Sequence, residues 1–338
     1  MPNFKVALIA RDDSTREDPI PQWVLDTFQK EGIDFVSEEC TTRDEMASLA
    51  GDADVVWVFG DHQDVMTSEN LDVIPQCGAI IRTGSGCDNV PVDAATELGI
   101  IVANTPTAVS GPVSEHTIGL LFAVIRHIPF LDRGIRAGKW QQVEVGRKLG
   151  WHLQGNTLGL IGFGNIPRLV VKKLSGFELT VLVYDPYVEK DVITSAGAVS
   201  ETMENVLSKS DFVSVHCPYT KDTYHLIGER ELRLMQPNAI FINTSRGPVV
   251  DEPVLVRALT EKWIAAAGLD VFEQEPTDPG NPLFKLDNVV LTPHTAGYAD
   301  TTVPDFWQLS VETAVDLSHG SWPRSYVNPG VKPRWNLK

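Results

Sequence analysis

Cysteine is scarce in this sequence of 338 residues, which contains only Cys40, Cys77, Cys87 and Cys217. No two of them form a C-x-x-C pair, and no histidine-rich run accompanies them. Neither a disulfide framework nor a zinc site is therefore indicated. The simplest interpretation is a cytoplasmic protein with reduced thiols and no bound metal.

Basic residues are also in short supply. The sequence has 28 Lys and Arg against 45 Asp and Glu, which gives a formal net charge of −17. A field of this sign repels phosphate backbones and anionic membrane surfaces, so we expect neither nucleic acid nor a membrane as a partner. A small anionic substrate is still compatible, because it responds to the local field of its pocket.

The sequence also has few long apolar runs. We expect no membrane span, since no apolar stretch reaches the necessary length, and the N-terminal apolar run is too short for a signal peptide. The content of 43% hydrophobic and 22% charged residues is typical of globular proteins. The length is sufficient for two domains with substantial cores.

Short apolar segments alternate with helical patterns through most of the chain, which predicts parallel sheets in an α/β fold. A proline-rich loop at residues 104–112 interrupts the alternation, and a helix from Val113 to about Phe130 follows it. We therefore place a domain boundary near Ala103, with a second alternating series after it. A last helix at about 302–319 is expected to return to the first domain, and the tail at 321–338 to lie over the surface.

The stretch from Leu158 to Pro167 predicts a nucleotide site. A buried strand runs into Gly162, Gly164 follows, and a helical pattern begins directly afterwards. This is the arrangement in which a glycine turn and a helix N-terminus hold a pyrophosphate. Asp185 ends the next strand, 21 residues past Gly164, where a carboxylate can bind ribose hydroxyls. Proline replaces the third glycine of the fingerprint, which predicts looser or shifted packing of helix against strand.

Three polar residues follow successive predicted strands of the second series. Arg246, Glu275 and His294 offer a cation for a carboxylate, an acid and a titratable imidazole, a complete set for acid–base chemistry. Each also has a plain interpretation, as a solvated loop arginine, a turn acid and a loop histidine. Their common position at the carboxyl ends of parallel strands favours catalysis.

The chain resembles the D-isomer-specific 2-hydroxyacid dehydrogenases along nearly its whole length. The matching motifs are Thr83–Asn89, Ala103–Pro106, Val113–Thr117, Gly162–Gly164, Val215–Pro218, Asn243–Gly247, Leu269–Pro276 and Pro293–Gly297. The resemblance implies two Rossmann-like domains, in which a cofactor domain (residues 104–295) is inserted into a flavodoxin-like substrate domain (residues 1–103 and 296–338). It also implies a homodimer, with the helix after residue 113 in or near the contact.

In that family, the matching residues imply specific roles. His294 exchanges the proton of the substrate hydroxyl, and Glu275 hydrogen-bonds its other ring nitrogen and favours imidazolium. Arg246 binds the substrate carboxylate and polarises the keto oxygen, with the backbone N–H groups near Ser85 and Gly86 holding the same carboxylate. The implied NAD-binding residues are Gly162, Gly164, Asn165, Ile166, Asp185, Cys217, Pro218, Thr244, Ser245, Asp270, His294 and Gly297, among which Asp270 meets the nicotinamide amide.

Two alternatives remain open beside an NAD-dependent dehydrogenase of a small D-2-hydroxyacid. An NAD-sensing corepressor of the same fold would keep the nucleotide motif, and some corepressors also keep the three polar residues. A phosphite dehydrogenase would share them as well. The loops expected to set specificity, which contain Arg11, Asp61 and His62, do not reveal the substrate.

Overall fold

The computed structural model describes residues 3–10, 20–60, 65–142 and 151–338. The chain divides into two compact units, one formed by Met1–Val109 with Ala299–Lys338 and the other by Ser110–Tyr298. Each unit contains one parallel sheet with helices between its strands, which confirms the predicted α/β class.

The strands are β1 (Lys5–Ala10), β2 (Asp34–Glu39), β3 (Val55–Phe59), β4 (Ala79–Arg82), β5 (Ile101–Asn104), β6 (Thr157–Ile161), β7 (Thr180–Tyr184), β8 (Val199–Ser200), β9 (Phe212–Val215), β10 (Ile240–Asn243), β11 (Ala266–Leu269) and β12 (Val289–Leu291). The α-helices are α1 (Gln22–Glu31), α2 (Arg43–Ala50), α3 (Val92–Glu97), α4 (Pro106–Ile125), α5 (Ile128–Arg136), α6 (Asn165–Leu174), α7 (Lys190–Ser195), α8 (Met203–Lys209), α9 (Glu229–Leu234), α10 (Glu252–Thr260) and α11 (Thr302–Ser318). Sequence patterns did not predict the short edge strand β8.

The sheet of the first unit has the order β2-β1-β3-β4-β5, with all neighbours parallel. This is the order of flavodoxin-like folds. Its middle strand β3 is buried at every position, as expected for a parallel strand covered on both faces. Helix α11 packs on this unit, where the ring of Trp307 meets that of Trp57 at 5.2 Å. The last helix therefore lies where the sequence predicted.

The chain after α11 lies over the surface of the first unit, as expected, and hydrogen bonds tie it to that unit. Asn328 accepts a hydrogen bond from the Val102 N–H at 3.0 Å and donates one to the Ile100 carbonyl at 2.9 Å. Tyr326 forms an antiparallel bridge with Ala103. The segment thus satisfies backbone groups along the edge strand β5, which would otherwise stay unpaired.

Helix α4 differs from its prediction at both ends. It begins at Pro106 rather than Val113, because proline suits a first helical turn, whose N–H groups lack intrahelical partners. Pro112 lies inside the helix, where its missing N–H removes one helical bond. The helix ends at Ile125, and His127 then adopts a φ of 54°, which is incompatible with its continuation.

Helix α4 also corrects the expectation that no apolar stretch is long enough for a membrane span. Its 20 residues are long enough and apolar enough to cross a membrane, judged by length and composition alone. Since 56% of its most apolar window is buried within the protein, it has the character of a core helix, and its length is weak evidence for a span.

The sheet of the second unit has the order β12-β11-β10-β9-β6-β7-β8, again fully parallel. Chain order reverses between β6 and β9, the switch point at which open α/β sheets bind ligands beyond the carboxyl ends of their strands. Strands β10, β11 and β12 are adjacent, so the residues that follow them share one edge of the sheet.

Candidate active site

The glycine turn after β6 has room for a pyrophosphate. Gly162 has a φ of 94°, and a Cβ there would lie 2.9 Å from the Cys217 N atom, so only glycine fits. A Cβ on Gly164, by contrast, would meet nothing within 4 Å. Asn165 and Ile166 open helix α6 directly after it. The turn and helix N-terminus therefore fit the phosphates of a dinucleotide.

Pro167 occupies the third position of α6 and is buried. The N–H that proline lacks would have no partner there, because the first four N–H groups of a helix are not bonded within it. The helix consequently forms without a break. The looser or shifted packing of helix against strand that the proline predicts stays a prediction.

Asp185 is tied to the glycine turn by its carboxylate. One oxygen accepts from the Phe163 N–H at 2.7 Å, and the other accepts from the N–H groups of Tyr187 at 2.8 Å and Val188 at 3.2 Å. The carboxylate is thus fixed beside the glycine turn, where a ribose is expected. The guanidinium of Arg168 donates to the Phe163 carbonyl at 3.0 Å. Sequence reasoning did not predict this cation beside the glycine turn.

His294 and Glu275 form a close polar pair. Nδ1 of His294 lies 2.6 Å from Oε2 of Glu275, whose Oε1 accepts from the Phe272 N–H at 2.8 Å. Among the residues that the structure describes, the other ring nitrogen, Nε2, has no hydrogen-bond partner. Desolvation raises the pKa of Glu275, but hydrogen bonds from His294 and Phe272, with the charges of His294 and Arg246, outweigh it and lower that pKa.

Arg246 also interacts electrostatically with this pair, since its charge lowers the pKa of Glu275. It follows β10 in a turn held by Asn243, whose amide donates to the Arg246 carbonyl at 3.0 Å. At the next residue, a Cβ on Gly247 would lie 1.7 Å from the Phe272 carbonyl oxygen. Glycine at 247 therefore lets the arginine turn lie against the loop that carries Glu275.

Asp270 is fully buried at the end of β11. Its carboxylate accepts from the N–H groups of Thr295 and Ala296, both at 2.9 Å, and from the Thr292 hydroxyl at 2.6 Å. Its role toward a nicotinamide amide stays a prediction. In the structure it organises the loop that contains His294.

Other predicted cofactor positions lie around the ends of β9 and β10. Burial raises the pKa of the Cys217 thiol to about 11, so this side chain is neutral, and Pro218 beside it is exposed. The Thr244 hydroxyl lies 2.8 Å from that of Thr117 on α4, and the Ser245 hydroxyl donates to Asn243 at 2.8 Å. Gly297 follows the His294 loop and is partly buried.

Ser85 and Gly86 lie in the first unit, in the loop after β4. The preceding Gly84 donates its N–H to the Thr105 hydroxyl at 2.7 Å. Within the described part of the chain, the N–H groups of Ser85 and Gly86 have no acceptor, so they are available to an anion. Arg11, Asp61 and His62, in the loops expected to set specificity, lie outside the described residues.

Two further residues join the site without having been predicted to act there. His116 of α4 and Thr292 after β12 meet through Nε2 and Oγ1 at 3.0 Å. The sequence signal was available, because His116 stands in the Val113–Thr117 motif. No residue pattern, however, linked that motif to the loop of His294.

Comparison with known proteins agrees with this arrangement. The family profile described as D-isomer specific 2-hydroxyacid dehydrogenase, NAD binding domain, matches residues 118–296. A glyoxylate reductase from Thermococcus litoralis is 41% identical over 272 residues, which cover 79% of this chain and 82% of that protein. The chain belongs to the D-isomer-specific 2-hydroxyacid dehydrogenases.

Solved structures support this assignment. A glyoxylate reductase from Paecilomyes thermophila aligns with a TM-score of 0.86 at 26% identity and covers 97% of this dehydrogenase and 99% of that chain. An acyclic imino acid reductase (Bsp5) in complex with NADPH and D-Arg aligns with a TM-score of 0.83 at 27% identity, over 96% and 100% of the two chains. Family and neighbours together make this protein a dehydrogenase of the NAD(P)-dependent kind, as the sequence predicted.

Proposed function

We propose that this dehydrogenase interconverts a small D-2-hydroxyacid and its 2-oxoacid with NAD as coenzyme, with His294, Glu275 and Arg246 as its catalytic residues. The contact of 2.6 Å between His294 Nδ1 and Glu275 Oε2 carries the proposal, because it leaves Nε2 free for proton exchange. We also propose that the protein is cytoplasmic and forms a homodimer through the region of α4.

The residues act together on the substrate. A bound nicotinamide supplies the hydride in reduction. The imidazolium of His294 donates a proton to the keto oxygen, and Glu275 stabilises that cation. Arg246 and the N–H groups of Ser85 and Gly86 bind the carboxylate, and the guanidinium also polarises the carbonyl.

Turnover with a panel of 2-oxoacids tests the proposal against its alternatives. Glyoxylate should be the first member, because the relative from Thermococcus litoralis is named a glyoxylate reductase. A corepressor would bind NADH without consuming it. Formation of NADH from phosphite, with no turnover of any 2-oxoacid, would identify a phosphite dehydrogenase instead.

The pH profiles should report the His294–Glu275 pair. Reduction needs imidazolium and falls as pH rises, whereas oxidation needs neutral imidazole and rises over the same range. The Glu275 carboxylate lies 2.6 Å from His294 Nδ1, and a negative charge at this distance stabilises imidazolium. Glu275→Gln keeps the shape but removes the charge, and both transitions should therefore move to lower pH.

The measurement is kcat/KM in both directions across pH for wild type and Glu275→Gln. Glu273→Gln is a suitable control, since Glu273 lies two residues away but pairs with His225 at 2.7 Å. Its profiles should stay with those of wild type. Coincident profiles for Glu275→Gln and wild type would show that Glu275 does not act on His294.

Coenzyme preference should favour NADH over NADPH. Asp185 would repel a 2′-phosphate, and no Lys or Arg occurs from Tyr184 through Glu189 to compensate it. We expect a KM for NADH lower by about tenfold or more, equivalent to about 1.4 kcal/mol. Asp185→Asn, which keeps an acceptor oxygen without the charge, should reduce the difference between the KM values of NADH and NADPH. Equal efficiency of both coenzymes with the wild-type protein would contradict the prediction.

A further inference from the structure

A second polar network lies behind the loop of His294, within the unit Ser110–Tyr298. His116 Nε2 is 3.0 Å from Thr292 Oγ1 and 3.5 Å from Asp270 Oδ1. The Thr292 hydroxyl also lies 2.6 Å from the same Asp270 oxygen. Helix α4 is thereby joined to the segment that begins directly after β12.

The direction of these hydrogen bonds follows from proton counting. A carboxylate only accepts, so the single Thr292 hydroxyl proton is donated to Asp270. Thr292 Oγ1 must then accept from His116, and Nε2 of His116 must carry a proton. The imidazole is therefore a donor in this network.

Asp270 connects this network to the loop of His294 by hydrogen bonds. Its side chain accepts from the N–H groups of Thr295 and Ala296, and its carbonyl accepts from the His294 N–H at 2.7 Å. His294 itself has a φ of 54°. This left-handed conformation is unfavourable for a residue with a Cβ, so surrounding contacts must hold it.

We propose that His116 is a positioning residue, which acts through Thr292 and Asp270 on the His294 loop. It keeps the loop in the conformation in which His294 Nδ1 is hydrogen-bonded to Glu275. The proposal rests on the function proposed above for His294. It assigns to α4 a task in catalysis, because the helix supplies a donor that contacts both Thr292 and Asp270 from outside the loop.

Two substitutions of His116 separate hydrogen bonding from packing. His116→Leu removes the donor, and kcat should fall by roughly tenfold to hundredfold, since small displacements of a catalytic group have effects of this size. The Kd of NADH and the KM of the 2-oxoacid should change much less. His116→Gln can place an amide N–H near the position of Nε2 and should restore most of the turnover.

The Thr292 hydroxyl provides an independent test, also in the event that His116→Leu does not fold. Thr292→Val should reproduce the loss of turnover and Thr292→Ser should not. The double variant His116→Leu/Thr292→Val should lose no more than either single variant, because both break one network. Glu115→Gln is the control on the same helix, since Glu115 pairs with Lys173 at 2.8 Å and should leave kcat unchanged.

Hydrogen exchange distinguishes failure of this proposal from failure of the proposed function. The amides of Thr295 and Ala296 should exchange about tenfold faster in His116→Leu than in wild type, a readout that needs no turnover. Wild-type exchange and kcat in His116→Leu would overturn the positioning role while leaving the proposed function intact. Equal losses in His116→Leu and His116→Gln would also overturn it. If wild type turns over no 2-oxoacid, the function fails and exchange alone decides the role of His116.

Discussion

Replacing His294 with alanine should lower turnover of the 2-oxoacid by about two to four orders of magnitude, while NADH still binds. The reason is chemical rather than structural. His294 is partly exposed and its side chain contacts Glu275, so its removal opens no cavity in the core. The reaction loses its proton donor, whereas the glycine turn at Gly162 and Gly164 is untouched.

The measurement pairs single-turnover reduction with the Kd of NADH from fluorescence. His127→Ala is a matched control, because His127 has the same φ of 54° but lies at the N-cap position of helix α5, where its side chain makes no cap hydrogen bond. It reports the cost of placing alanine in that backbone conformation, and it should leave turnover near that of wild type. Full activity in His294→Ala would remove the proposed mechanism, and loss of NADH binding would indicate a wider structural defect.

Sequence patterns predicted the elements whose signals are local. The patterns predict a helix near Gln22–Glu31, and α1 has these bounds, because Val24 and Phe28 form its buried stripe and Gly32 ends it with a φ of 69°. They also predict a helix around Arg43–Ala50, which is α2, since Thr42 and Glu45 form a capping box. Strand β3 is a continuous apolar run that can only be a central strand of a parallel sheet.

The wrong predictions have equally local causes. Pro106 and Pro112 were interpreted as breakers, although proline is favoured in a first helical turn and a long buried helix can tolerate one missing hydrogen bond. The tail after α11 lies over the surface, as its composition predicts, but its attachment to β5 has no sequence signal. Only the fold shows that Asn328 meets the open edge of β5.

The site residues also include some that the sequence predicts and others that only the fold brings together. Arg246, Glu275 and His294 were predictable because each follows a strand, and parallel strands bring their carboxyl ends to one edge. His116 was not, since its partner Thr292 lies 176 residues further along the chain and no periodicity encodes such a contact. The buried position of Asp270 likewise follows from packing, not from its motif.

Arg246→Gln should reduce kcat/KM for the 2-oxoacid by about 10²–10³-fold, the effect of removing a positioned donor from a developing oxyanion. Both constants should change, because the guanidinium is proposed to bind the carboxylate and to polarise the carbonyl. Arg246→Lys keeps the charge but loses the planar fork, so its loss should be intermediate. The Kd of NADH should stay near that of wild type in both variants.

Arg257→Gln controls for the removal of an arginine from this unit. Arg257 lies on α10, where it pairs with Glu229 and its guanidinium carbon is 5.0 Å from the Trp263 ring centroid, and its loss should leave kcat/KM unchanged. An Arg246→Gln variant with wild-type kcat and KM for the 2-oxoacid would show that other groups bind the carboxylate and polarise the carbonyl. Because the charge of Arg246 also lowers the pKa of Glu275, that variant would then change only the pH profile, and the arginine would act on the acid rather than on the substrate.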